Sequence, residues 1–174
     1  MRLNVLARKT HHWLAAAVAL PVLVIIGSGL LLQVKKQWGW VQPPEQAGTA
    51  APALVGLEEI LASVRAVEGV GIAGWGDVHR VDVRPADAVA KVTTRSGWEV
   101  QVDLGTGQVL QTAYRRSDLI EAIHDGSWLG GDVTKLGIFL PAGAALLVLW
   151  VTGLWMVWLP IRVKRRRRLA ATTE

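Results

Sequence analysis

Residues 13–32 read WLAAAVALPVLVIIGSGLLL, an apolar run of 20 residues, and the charge-free stretch around it extends from Thr10 to Val34. A hydrocarbon core of about 30 Å requires roughly 20 apolar residues in helical form. A second stretch meets the same requirement: Leu136 to Ile161, 26 residues without a formal charge. An ordinary soluble domain is thereby excluded, although the 174-residue chain has a mean hydropathy of only +0.32. The expected fold class is membrane α-helical, with transmembrane helices over 13–34 and 135–161. A small α+β domain, a helix packed on an antiparallel meander, lies between them.

The charges outside the two runs set an expected topology. The two ends carry nine bases (Arg2, Arg8, Lys9, Arg162, Lys164 and Arg165 to Arg168) against one acid, Glu174. The segment 35–135 carries 10 bases and 13 acids, a net −3 against +8 for the ends. The positive-inside rule then places residues 1–12 and the basic tail 162–174 in the cytoplasm, and about 35–134 outside. The arginine run begins directly after an apolar run, so it reads as a topogenic, headgroup-facing tail, and no nucleic acid is expected as a partner. The first run exceeds the apolar part of a signal peptide and is followed by Gln33-Val34-Lys35-Lys36, with no small-x-small cleavage site, so it reads as a retained anchor.

Nine Trp stand beside one Phe and one Tyr. Trp13, Trp38, Trp40, Trp128, Trp155 and Trp158 fall near the ends of the two runs, where indole satisfies both an apolar body and an N–H. Pro21 and Pro141 are expected to interrupt the helices. Small residues cluster at Ala15-Ala16-Ala17, Gly27-Ser28-Gly29 and Ala142-Gly143-Ala144-Ala145. Such surfaces allow close helix approach, so a homodimer or a larger membrane-protein complex is expected alongside the lipid bilayer.

Between the runs, residues 35–53 read as a linker, rich in Pro, Ala and Gly from Gln42 onward. A domain over 54–114 follows. Leu57, Ile60, Leu61, Val64 and Val67 share one helical face over about 56–68, with Gly69 as the stop. The period then becomes two. Val81 and Val83 alternate with Arg80, Asp82 and Arg84, and Trp98, Val100, Val102 and Leu104 with Glu99, Gln101 and Asp103. These are expected to be half-buried strands. Residues 115–134 read as an amphipathic helix over Asp118 to Trp128, with Asp118 and Glu121 at capping-box spacing, and a glycine-rich bend.

The absence of cysteine excludes disulfides, thiolate catalysis, Cys-ligated metals and covalent c-type haem. No Ser-His-Asp arrangement, paired carboxylate or His-x-x-x-His spacing is present, so no catalytic residue is expected. The chain by itself reads as a carrier or subunit rather than an enzyme.

The order of these features resembles the PepSY-associated transmembrane family over nearly the whole chain. Arg8-Lys9-Thr10-His11-His12-Trp13-Leu14 is similar to that family's entry into its first helix. Gly97 to Leu110 (Gly-Trp-Glu-Val-Gln-Val-Asp-Leu-Gly-Thr-Gly-Gln-Val-Leu) resembles the PepSY hairpin. Ile123-His124-Asp125-Gly126 resembles the Leu-His-x-Gly signature before a span, and Thr152 to Trp158 the last helix. Larger members have four spans, and some are inner-membrane reductases of ferric siderophores carrying haem b between histidines. The resemblance therefore implies a bacterial inner-membrane protein with a periplasmic PepSY-like domain over 54–114. It also implies haem b as a cofactor and electron transfer in ferric-iron or siderophore reduction. It equally admits a non-catalytic accessory subunit, or a periplasmic module that binds or restrains a peptidase.

The candidate haem-iron ligands are His11 and His124, with His12 as a candidate cofactor-binding neighbour. A full span separates His11 from His124 by roughly 30 Å, so one copy cannot hold one haem between them. A symmetric pair would set His11 against His11 and His124 against His124 in a four-helix bundle. His12 lies about 100° round the helix from His11, so only one of them faces a bundle interior; the family pattern favours His11. His11 and His12 beside Arg8 and Lys9 also read as plain interfacial residues, and His124 as a helix-terminal cap. His79, between Asp77 and Asp82, reads as a surface residue.

Overall fold

The computed structural model describes residues 2–51 and 54–170, with side chains over 5–51 and 54–164. Helix α1 runs Arg2–Gln33, α2 Leu57–Arg65, and strands β1 to β4 run Val78–Arg84, Val89–Thr94, Trp98–Asp103 and Val109–Tyr114. Helix α3 covers Arg116–Asp125 and α4 Leu140–Ala170. The chain divides into two units: 1–29 with 122–174, which holds the two apolar helices, and 30–121, which holds the sheet.

In the helical unit, Val5–Gln33 and Asp132–Lys164 are long and apolar enough to cross a membrane, and 6% and 0% of their most apolar windows are buried. A core helix of a soluble protein would be covered on most sides; these helices present Leu20, Leu23, Leu147, Trp150 and Val157 outward. The first helix begins at Arg2, ahead of the expected start at Trp13, and continues through Pro21 to Gln33 without the expected interruption. The second is entered through one turn at Ser127–Gly130, another at Asp132–Thr134, and a π-helical turn over Lys135–Phe139. That wide turn precedes Pro141, whose ring would crowd the carbonyl four residues back in a regular helix. Pro141 therefore sits in the first turn of α4, and the proline inside that helix is Pro160.

Helix α3 starts at Arg116 rather than Asp118 and stops at Asp125 rather than Trp128. Asp118 is not its cap: its carboxylate accepts from Arg115 Nε at 2.7 Å. The stop is Gly126 at φ +81°, where a Cβ would both strain the backbone and collide with the Phe139 ring.

The sheet is an antiparallel meander in the order β1-β2-β3-β4. Ala90 pairs with Val102 and Val92 with Val100, so these four side chains share a face. Ile60, Leu61 and Val64 of α2 close that face together with Val70, Ile72 and Leu104. Helix α2 is shorter than its apolar spacing suggests, ending at Arg65 with the chain turning toward Gly69.

The opposite face departs from expectation. Lys91, Thr93, Glu99, Gln101 and Asp103 are at most 4% exposed, so β2 and β3 are buried on both sides. Residues 41–51, expected as a linker, are the cover. This strap has no ladder of its own, and its backbone meets the side chains of the sheet. Gln46 N donates to Gln101 Oε1 at 2.8 Å, Gln101 Nε2 donates to Pro44 O at 3.0 Å, and Thr49 N donates to Asp103 Oδ1 at 3.0 Å. Glu99 is paired with Arg115 Nη1 at 2.6 Å and accepts from Gln101 Nε2 at 2.8 Å, which compensates its burial. Burial pushes the Asp103 carboxyl up, but donation from the N–H groups of Thr49 and Gly105 outweighs it and holds the group at about 2. Gly48 passes so close to the Ala88 carbonyl that a Cβ there has no room.

Candidate functional site: two histidine seats in the helical unit

Near the start of α1, His11 Nδ1 lies 2.8 Å from Thr152 Oγ1 on α4. The threonine hydroxyl is also 2.8 Å from Val148 O and 3.1 Å from Leu149 O. A hydroxyl has one proton, and a carbonyl only accepts. When the Thr152 proton serves its own helix, Thr152 accepts from His11 Nδ1–H. In the neutral ring this leaves the lone pair on Nε2. Gly153 forms the floor: a Cβ there would sit 3.7 Å from His11 Cε1.

At the other end of α1 the same device recurs. His124, on the last turn of α3, places Nδ1 3.0 Å from Ile25 O and 3.1 Å from Ser28 Oγ. Ser28 donates to Val24 O at 2.5 Å. Ile25 O is an obligate acceptor, so Nδ1 carries the proton and Nε2 again holds the lone pair. Gly29 is the floor here, with a Cβ position 3.3 Å from His124 Cε1. Each seat is thus a hydroxyl residue followed by glycine, Thr152-Gly153 and Ser28-Gly29, receiving a histidine from another helix. Ser28 is 7% exposed.

His124 also lines an open, mostly apolar cavity of about 540 Å³, together with Ile25, Lys135, Phe139, Gly143 and Leu147. Lys135 Nζ is 2.7 Å from Asp125 Oδ2. That ammonium, with the Ser127 hydroxyl and N–H, holds the Asp125 carboxyl at about 2. The site next to His124 therefore keeps an ion pair across the neutral range.

The structure does not bring His11 and His124 together, since His11 and Ser28 are roughly 25 Å apart along α1. His12 is exposed and makes an edge contact with Trp13 at 5.8 Å between ring centres. His79 is exposed on β1, at the irregularity between Val78 and Arg80. Among the described residues no group of three or more His, Asp or Glu side chains is placed to hold a metal ion.

Sequence reasoning found the histidines and missed their seats. Gly27-Ser28-Gly29 read only as a packing surface, and Thr152-Gly153 only as part of a closing helix. The available signal was a hydroxyl residue followed by glycine inside each apolar run.

No curated protein and no solved structure matches the chain. The model of the PepSY-associated TM region matches residues 8–173, and the chain, whose two apolar helices precede and follow a helix-covered four-stranded meander in the sequence, belongs to that family of membrane proteins.

Proposed function

We propose that the protein is an inner-membrane haem b carrier in which two copies pair, His11 with His11 and His124 with His124. On this reading it passes electrons in ferric-iron or siderophore reduction. The observation that supports it is the Ile25 carbonyl 3.0 Å from His124 Nδ1. An imidazole that donates one ring N–H to a carbonyl has its tautomer and orientation set for ligation through the other nitrogen. Thr152 serves His11 in the same way. The donor set fits haem b as two half-sites per copy, because each seat offers one imidazole and none offers two. When bound, haem supplies one-electron transfer at its iron. The chain's own residues hold the ligands: Ile25 and Ser28 orient His124, and Thr152 orients His11. A Cβ built at Gly27 or Gly143 meets nothing within 4 Å, which leaves room for another helix against each span.

The test is the reduced-minus-oxidised spectrum of the full chain purified in detergent from haem-replete cells. Soret and α bands are expected. His124→Ala is expected to remove the outer haem alone, His11→Ala the inner alone, and His12→Ala to be nearly silent. A pure, folded, colourless protein overturns the reading. Loss of all haem with His12→Ala, and none with His11→Ala, assigns the wrong face of α1.

The proposal places both termini in the cytoplasm and residues of about 35–134 in the periplasm, on the charge asymmetry of the ends. A cysteine at Gln108, which is exposed, is expected to label from outside. Gln46, whose N–H and side chain bond Gln101 and Gln111, is the poorer reporter. Thr172, the cytoplasmic counterpart, lies outside the described residues.

The open faces at Gly27 and Gly143 also favour a second reading, an accessory subunit docked on a larger membrane enzyme. Co-purification with a defined partner in mild detergent supports it, and a homodimer alone counts against it. A peptidase-binding module has less support, because the strap already occupies the polar face of the sheet.

A further inference from the structure

Between the strap and the sheet lies a cavity of about 240 Å³ lined by Lys36, Gln42, Pro43, Pro44, Glu45, Arg84 and Lys91. Three cations face it against one carboxylate. Glu45 pairs with Lys91 Nζ at 2.8 Å and with Arg84, and Arg84 also meets Asp82 Oδ2 at 3.0 Å from outside the lining. Lys36 has no acidic partner among the described residues, whereas its neighbour Lys35 is paired with Glu121 at 2.8 Å. The buried Gln42 Oε1 has no hydrogen-bond partner. Buried acceptors in folded proteins are nearly always satisfied, so an orphan facing a polar cavity asks for a donor. Among the described residues the cavity thus offers one unpaired cation, Lys36, to an anion and one unmet acceptor, Gln42 Oε1, to a donor. Its volume is that of about eight waters in the liquid.

We propose that this cavity binds a hydroxyl-bearing phosphate ester, as the phosphoglycerol headgroup of an anionic lipid presents. Position favours the lipid source. Lys36 follows Gln33, the end of α1, by three residues, which span roughly 10 Å at most. That distance lies within the headgroup layer. Trp38 and Trp40, 49% and 51% exposed with ring centres 5.4 Å apart, flank it in sequence as interfacial aromatics do. The phosphate takes Lys36 and the edge of Arg84, the buried Lys91, held by the exposed Glu45, fixes the wall, and a glycerol hydroxyl donates to Gln42.

The experiment uses the full chain in nanodiscs of zwitterionic phosphatidylcholine. Retention of phosphatidylglycerol, added at a few per cent, is measured by native mass spectrometry. One retained phosphatidylglycerol per copy is expected. Lys36→Gln and Gln42→Leu are each expected to weaken retention tenfold or more, and Lys35→Gln, the same charge loss outside the cavity, less than twofold. Lys36 is exposed, so its replacement does not threaten folding. Competition by glycerol 3-phosphate at equal concentration supports the phosphate-ester site with a soluble source. Competition by dimethyl phosphate, an anion without a hydroxyl, as strong as that by glycerol 3-phosphate removes the role of Gln42 and overturns the proposal. Equal retention in all three variants, or no preference over phosphatidylcholine, overturns it as well.

Discussion

The two histidine seats use one device with unequal strength. His124 gives its Nδ1–H to a carbonyl and a hydroxyl, and its ring presses to 3.3 Å from where a Gly29 Cβ would stand. His11 has one partner, the Thr152 hydroxyl, and a looser floor at 3.7 Å above Gly153. A carbonyl dictates the tautomer outright. A hydroxyl dictates it only while its own proton is held by the helix behind it. The comparison teaches that an apolar helix can orient a polar ring with groups it already owns, the spare lone pair of a carbonyl or a back-bonded hydroxyl, provided a glycine leaves the space.

The largest expected effect is at the tighter seat. Gly29→Val drives methyl groups into the His124 ring and is expected to cost about 2–3 kcal/mol by overpacking. Thermal unfolding of the full chain in detergent reads it, together with loss of the His124 Nδ1–H signal in ¹⁵N imidazole NMR. Gly153→Ala has more room and is expected to cost under about 1 kcal/mol. Equal losses would remove the distinction between the floors.

Next come the hydroxyls. Thr152→Val deletes the one acceptor of His11 Nδ1–H and is expected to cost about 1–3 kcal/mol, the penalty of a desolvated, unmet donor. The same NMR spectrum should then show His11 in both tautomers. Ser28→Ala leaves Ile25 O in place and is expected to cost under about 1 kcal/mol, with His124 still protonated at Nδ1. A larger tautomer shift with Ser28→Ala than with Thr152→Val would reverse the ranking.

The smallest effect is confined to acid and contrasts the sheet unit with the seats. Asp103 titrates at about 2 in the folded chain, below its ordinary 3.8. A depressed carboxylate contributes stability that is present above its unfolded value and lost as pH falls through the folded one. The opening free energy of the β2 and β3 amides, from hydrogen exchange corrected for the intrinsic rate at each pH, is therefore expected to be flat above about pH 4 and to fall from there toward pH 2. Asp103→Asn should flatten that dependence. An unchanged acid slope in the variant would assign it to other carboxyls.

Much of the fold was legible along the chain. The absence of charge from Thr10 to Val34 and from Leu136 to Ile161 marks the spans, because hydrocarbon excludes charge at every turn of a helix. The alternation at Trp98 to Leu104 and the glycine-bearing turns mark the meander. The same alternation misled on the far side of the sheet. Glu99, Gln101 and Asp103 read as solvent-facing, but polarity records only that a residue needs hydrogen bonds, not whether water or a strap supplies them. The linker composition of residues 42–53 likewise describes a segment without its own ladder, which is also what a strap requires.

The sequence by itself determined the membrane spans, the helix-covered meander and which histidines stand at the ends of the spans. Each follows from a local period or from a run of one chemical character. Only the tertiary structure decided what those histidines touch. Thr152 is 141 positions from His11, and Ser28 is 96 from His124. Contacts between residues that far apart in the chain leave no period to read. They exist because the helices cross where a glycine follows a hydroxyl, and that is a property of packing in three dimensions.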